Sequence, residues 1–251
     1  MSVITIVGAG MMGSAMSVPA KDNGHEVRVV GTPLDVEIVN ELKKSGYHIT
    51  MKRQLPDGIT YYHAEQLEEA LKGCDLLIGG ISSFGVEWFG KNVLPKIPKN
   101  SPVLSVTKGL YADEKGKFIP FPDYLSTFEG CEGLSLNAVG GPCISFELAD
   151  RHDTVVAFCG HNMDDLKKIK SMLQTPYYHI NLTCDVMGLE MAVAMKNAYA
   201  LGVALAIGTA ENKNGEGCSE EYNPQAGLFA QSTREIVRLL KISGGRDTAV
   251  L

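Results

Sequence analysis

A chain of 251 residues with a net charge of −6 has room for one large domain or two modest ones. It carries no basic field with which to wrap nucleic acid. Its 45% hydrophobic and 21% charged residues are the balance of an ordinary soluble globular protein. The six cysteines (Cys74, Cys131, Cys143, Cys159, Cys184 and Cys218) are scattered without a CxxC pair, which argues against a disulfide framework. The histidines lack HxH and HExxH spacing, so no metal site is expected. The chain enters a strand at once without a leader pattern, and a cytoplasmic location is expected.

The first element is a short β-branched run, Val3 to Val7, that breaks into Gly8-x-Gly10-x-x-Gly13 and continues at helical spacing. In such a strand–turn–helix Gly8 permits the tight turn and Gly10 lets backbone approach a pyrophosphate. Gly13 lets helix and strand pack closely, and the helix start favours an anion. This context predicts a dinucleotide site. The helix is expected over Met12–Asn23, followed by a strand at Glu26–Val30. An acid at the tip of that second strand would favour NAD, but the tip is Val30-Gly31-Thr32. NAD and NADP therefore both stay open as the cofactor.

Asp35–Ser45 reads as a helix with Leu34, Ile38 and Leu42 on one face, and Ile59–Tyr62 as a strand. Helix Ala64–Lys72 and the apolar strand Leu76–Ile81 follow, the latter ending in Ser82-Ser83-Phe84-Gly85. That polar turn lies at a strand's carboxyl end, where ligands of open α/β sheets gather; it also reads as a helix N-cap. Strand Pro102–Val106 delivers Thr107-Lys108-Gly109 to the same edge, which places Lys108 for an anionic ligand. Tyr111–Gly133 reads as an irregular surface excursion. Strand Leu134–Val139 ends in Gly140-Gly141-Pro142-Cys143, a close-approach glycine turn. Strands Thr154–Cys159 and Tyr178–Asn181 flank helix Asp164–Leu173 and complete the sheet. The alternation predicts an α/β fold, a Rossmann-type doubly wound and mostly parallel sheet over residues 1–182.

From residue 183 the pattern becomes all-helical, the expected start of a substrate domain. Asp185–Ala210 is apolar on nearly every face and reads as a buried spine. Its stretch Met191–Ile207 could pass for a membrane span, but Lys196-Asn197 and Gly202 interrupt it, so no integral membrane contact is expected. A polar loop over Glu211–Glu221 and helix Asn223–Ile242 come next, closed by Ser243-Gly244-Gly245. Lys196 is the chemical anomaly of the spine, because a buried ammonium costs several kcal/mol unless paired. It reads either as a salt-bridged structural lysine or as a cleft lysine whose surroundings let it exchange a proton near neutrality.

Taken in order, Gly8-Ala9-Gly10-Met11-Met12-Gly13-Ser14-Ala15, Val30-Gly31-Thr32, Val106-Thr107-Lys108-Gly109-Leu110, Gly141-Pro142-Cys143-Ile144-Ser145-Phe146-Glu147 and Glu190-Met191-Ala192-Val193-Ala194-Met195-Lys196-Asn197 form a pattern. It resembles NAD(P)-dependent glycerol-3-phosphate dehydrogenase, nearest the archaeal-type members, over essentially the whole chain. The resemblance implies interconversion of dihydroxyacetone phosphate and sn-glycerol 3-phosphate, a small phosphorylated three-carbon pair. It implies Lys196 as the catalytic lysine and Asn197 as its neighbour at the substrate phosphate. Lys108 would touch both cofactor and substrate, and Gly141 and Cys143 lie at substrate-side positions. Ser145, Met11, Met12 and Thr32 match cofactor-contact positions. A homodimer is expected.

The departures point to one rival, a nucleotide-binding paralogue without turnover. A second, a reductase of another small keto-acid such as ketopantoate, shares the architecture, but the Gly141–Glu147 segment favours the dehydrogenase over it. Gln231-Ser232 stand where the family often has Thr-Arg, and the family's later aspartate and Arg-Asn pair have no counterpart in these residues. The resemblance thus implies a short substrate domain. In that case part of the spine helix is expected to lose its partner, leaving an apolar patch across Val186–Ile207 and Gly227–Leu240 for self-association and letting water reach Lys196.

Overall fold

The computed structural model describes residues 1–215 and 222–246. Most of the polar loop expected over Glu211–Glu221, Cys218 and the tail beyond Arg246 lie outside the described residues.

β1 (Val3–Val7) buries Ile4, Ile6 and Val7 completely. The single helix expected after the glycine turn is two, α1 (Met11–Ala15) and α2 (Ser17–Asp22), meeting at Met16. Pro19 has no N–H to offer the Ala15 carbonyl, so the helical ladder is interrupted at that point. β2 (Glu26–Val30) pairs parallel with β1. α3 (Val36–Ser45) buries Val39 and Leu42, whereas Leu34, expected on that face, precedes the helix and is 94% exposed. A small hairpin of β3 (Tyr47–His48) and β4 (Arg53–Gln54) leads into β5 (Ile59–Tyr62). The helix expected over Ala64–Lys72 shrinks to a 3-10 turn at Ala64–Gln66 and the one-turn α4 (Leu67–Ala70).

β6 (Leu76–Gly79), α5 (Val86–Asn92) and β7 (Val103–Ser105) continue the alternation. The stretch expected to be irregular is built. β8 (Leu110–Ala112) and β9 (Phe118–Pro120) form an antiparallel hairpin, and α6 (Phe121–Leu125) starts directly after it. Phe121, Leu125 and Cys131 are buried in one cluster with Phe89. Strands of three residues are too short for periodicity to register. β10 (Leu136–Gly140), α7 (Ser145–Ala149), β11 (Thr154–Gly160), α8 (Met163–Leu173) and β12 (Tyr178–Thr183) complete the α/β part. Asn162 caps α8, its side-chain oxygen accepting the Asp164 N–H at 2.9 Å.

The main sheet has eight strands in the order β12-β11-β10-β7-β6-β1-β2-β5. From β5 to β10 every neighbouring pair is parallel, in the strand order of a doubly wound dinucleotide fold. β11 runs antiparallel to β10, and β12 lies parallel to β11. One buried cluster spans Ile4, Ile6, Val27, Leu104 and Phe158, and a second lies around Val7, Leu77, Phe89 and Val103. Alternate residues of β1 (Ile6 in one, Val7 in the other) feed the two clusters, as the pleat requires.

α9 (Val186–Asn214) and α10 (Tyr222–Ile242) follow and pack on each other. The root of α9 behaves as a buried spine, and further along the helix Ala210 is buried as well. Val186, Leu189 and Val193 pack on Ala138 and Cys159 of the sheet. Beyond them Leu201 and Leu205 are 62% and 63% exposed, and Phe229 of α10 is 68% exposed. The expectation of uniform burial fails; of the residues expected in an open patch, Leu201, Leu205 and Phe229 are exposed, whereas Val186, Leu189, Val193 and Leu240 are buried. By length and composition α9 is also the one helix among the described residues able to cross a membrane. At the far end the Arg246 N–H donates to Asp185 Oδ2 at 2.6 Å. A Cβ on Gly245 would overlap the Gly188 backbone, and one on Gly188 would overlap the Asp185 carboxylate.

Candidate functional site

The carboxyl ends of the six parallel strands bring together the turns singled out in the sequence. Gly8 adopts φ +107°, and a Cβ on it would overlap the Gly80 carbonyl oxygen. A Cβ on Gly13 would overlap the Gly8 carbonyl oxygen, so both glycines serve close backbone packing. Gly10 differs: a Cβ there would meet nothing within 4 Å. The space above Gly10 is the cradle in which a pyrophosphate would lie, and the loop therefore fits a dinucleotide.

Four adjoining cavities line this edge. A cavity of about 410 Å³ is walled by Gly10, Thr32, Asp35, Ser82, Phe84 and Trp88. A second, of about 400 Å³, shares Gly10 and Ser82 with it and adds Met11, Met12, Lys108, Cys143 and Ser145. A small one joins Met12, Lys108 and Cys143 to Gly141. The last, of about 520 Å³, runs from Gly141 and Pro142 along Lys196 and Tyr199 to Phe229, Ser232 and Thr233. All the sequence-singled positions but Gly8, Gly13 and Asn197 thus line one continuous run. Gly8 and Gly13 shape it from beneath. Asn197 is exposed on α9, outside the cavity walls.

The electrostatics differ from expectation at the two lysines. Lys196 is exposed on α9, against the buried-spine reading and in line with the expectation that water reaches it. The environmental effect falls on Lys108, whose ammonium is held below its ordinary pKa first by desolvation and then by the charge of Lys196. Cys143 partly opposes that shift. Desolvation pushes the Cys143 thiol up to about 11, against the lowering pull of Lys108 and Lys196, so it is a protonated thiol near neutrality. It can donate a weak hydrogen bond but is no nucleophile.

The sequence reading missed Asp35 and His48. It found no acid at the tip of β2, yet the Asp35 carboxylate folds back onto that tip and accepts the Thr32 N–H and hydroxyl, each at 2.8 Å. The signal was present as Thr-Pro-Leu-Asp, a turn closed by an acid three residues on. His48 is fully buried, with Nε2 2.9 Å from the Ala9 carbonyl oxygen; only the fold reveals that proximity.

Residues 3–165 match the family described as NAD-dependent glycerol-3-phosphate dehydrogenase N-terminus. The chain is 32% identical over 98% of its length to the NADP(+)-dependent glycerol-3-phosphate dehydrogenase of Archaeoglobus fulgidus, of which it covers 72%. This chain belongs to the glycerol-3-phosphate dehydrogenase family. It is also 26% identical to the glycerol-3-phosphate dehydrogenase [NAD(P)+] of Bacillus velezensis, over 98% of this chain and 67% of that protein. Among solved structures, the glycerol-3-phosphate dehydrogenase of Coxiella burnetii superposes with a TM-score of 0.80 at 21% identity, covering 99% of this chain and 71% of that one. That likeness places the fold, a Rossmann-like sheet followed by helices. Family membership makes the chain an oxidoreductase with NAD(P) as its cofactor.

Proposed function

We propose that the chain interconverts dihydroxyacetone phosphate and sn-glycerol 3-phosphate at the meeting point of the glycine turn, Lys108 and Lys196. The observation that carries this reading is the run of cavities linking Gly10 through Lys108 and Gly141 to Lys196. Gly10, Met11, Met12, Thr32, Ser82 and Ser145 would hold the dinucleotide along that run. When bound there, the nicotinamide supplies hydride to, or takes it from, C2 of the substrate. Lys196 would protonate the oxygen that becomes the C2 hydroxyl, and Lys108 would stabilise negative charge developing beside it. Gly141 gives backbone access, and the protonated Cys143 thiol faces the same space. The phosphate contact of Asn197 rests on the family resemblance alone.

Residues 1–182 form the dinucleotide-binding unit of this proposal and 183–251 the helical substrate unit. The wider proposal is a cytoplasmic homodimer without integral membrane contact, joined through the exposed apolar faces of α9 and α10. The deciding experiment is oxidation of NADH or NADPH by the 251-residue chain with dihydroxyacetone phosphate. Cofactor binding without turnover would favour the paralogue that only binds nucleotide.

A further inference from the structure

Ala9, between Gly8 and Gly10, is fully buried, and both its backbone polar groups are bound by side chains. Its N–H donates to Asp35 Oδ2 at 3.2 Å, and its carbonyl accepts the Ser14 hydroxyl at 3.1 Å. The same carbonyl lies 2.9 Å from His48 Nε2. The other ring nitrogen of His48, Nδ1, accepts the Met51 N–H at 3.1 Å. A ring nitrogen that accepts carries no proton, so the imidazole proton sits on Nε2 and is donated to Ala9. His48 is 0% exposed, and water cannot replace that bond.

Asp35 extends the arrangement. Its Oδ2 also takes the Thr32 N–H and the Thr32 hydroxyl. One carboxylate oxygen therefore ties the end of β2 to the glycine turn, across a cavity walled by Gly10, Thr32 and Asp35. His48 holds the opposite side of the same peptide from β3, a hairpin outside the main sheet.

We propose that Asp35 and His48 are positioning residues for the dinucleotide: they fix the Ala9 peptide so that the glycine turn is set before the pyrophosphate arrives. A loop that orders only on binding subtracts its lost entropy from the affinity, and a loop already held does not. The proposal rests on the dinucleotide reading above.

The test uses the full 251-residue chain and its single tryptophan, Trp88, which lines the cavity in question. NADH and NADPH are titrated while Trp88 emission is followed, with circular dichroism to verify folding. His48→Ala and Asp35→Ala should each weaken the cofactor about tenfold, the worth of one lost hydrogen bond at a buried group. His48→Gln keeps a donor at the Nε2 position and Asp35→Asn keeps an acceptor, and both should restore affinity to within about threefold. A purely structural role would lower the melting temperature and leave the affinity of the folded variants unchanged. That result would overturn the proposal while leaving the dinucleotide reading intact. If the unmodified chain binds neither nucleotide, the dinucleotide reading fails and the proposal with it. Should His48→Ala not fold, the half-buried Asp35 pair decides alone.

Discussion

Lys196 is one of the two causes that hold the Lys108 ammonium below its ordinary pKa, burial being the larger. Two cations on adjoining cavities repel each other until an anion lies between them, and a phosphorylated three-carbon substrate supplies that anion. Removing either charge should separate anion binding from proton transfer. Lys196→Met should cut dihydroxyacetone phosphate reduction by about 10²–10⁴-fold, the usual worth of a general acid, with NADH still bound by Trp88 titration. In the same variant Lys108 loses a like-charge neighbour and its pKa rises. Glycerol 3-phosphate binding, measured by calorimetry, weakens as pH rises through the Lys108 pKa. That weakening should move to higher pH in Lys196→Met.

The glycine turn allows a sharper contrast. Gly10→Val should leave the fold intact, because its Cβ enters open space, and should abolish cofactor binding by filling the cradle. Gly13→Val should fail to fold, because its Cβ overlaps the Gly8 carbonyl oxygen. Circular dichroism and Trp88 quenching on both variants check this. A folded Gly10→Val chain that binds NADH normally would remove the pyrophosphate from that loop.

Glu190, at the buried root of α9, is 0% exposed, and neither carboxyl oxygen has a hydrogen-bond partner among the described residues. Burial, with a smaller contribution from Asp123, pushes its pKa from 4.5 up to about 8. A raised carboxyl pKa means that the folded state holds the proton more tightly than the unfolded one. Stability from this group is therefore complete below pH 4.5, declines as pH rises and is lost above about 8. Glu190→Gln should flatten that decline and raise stability at pH 9 by on the order of 1–4 kcal/mol. Urea melts at pH 5, 7 and 9 check it, and parallel wild-type and variant curves would refute the assignment.

The exposed faces of α9 and α10 should make the chain self-associate. Light scattering is expected to return a dimer mass for the native chain. Leu205→Glu with Phe229→Glu, both at exposed positions, should shift it to the monomer without loss of helix. A monomer from the native chain at micromolar concentration would contradict the expectation.

The sheet was legible because β1, β2, β6, β7 and β10 are apolar runs punctuated by glycine or polar turns, and each run is long enough to leave a pattern. The site was legible for a related reason: in a doubly wound sheet the ends of those strands share one edge, so Gly10, Ser82, Lys108 and Gly141 had to meet. What could not be read depended on contacts distant in sequence. Tyr111–Gly133 looked irregular because its strands are three residues long, and its burial comes from Phe89 on another element. Leu34 looked like part of a helical face but lies just ahead of the Asp35 N-cap, before α3 begins at Val36. The composition of α9 alone suggested a buried Lys196; its exposure was expected only from the departures in the substrate domain. His48 carried no signal, since a histidine bonded to a backbone carbonyl looks like any other until the fold brings Ala9 to it.

The bond from Arg246 to Asp185 and the close approach of Gly245 to Gly188 fasten the end of α10 to the start of α9. The pair is thereby a hairpin tied at its base, and Leu189 and Val193 hold that base on the sheet. At about 1.5 Å per residue, Lys196 stands only ~5 Å past Val193, whereas the tip near Asn214 stands about 32 Å past it. Lys196 is thus carried by the anchored end of the helix, beside Gly141, and not by its long outer arm.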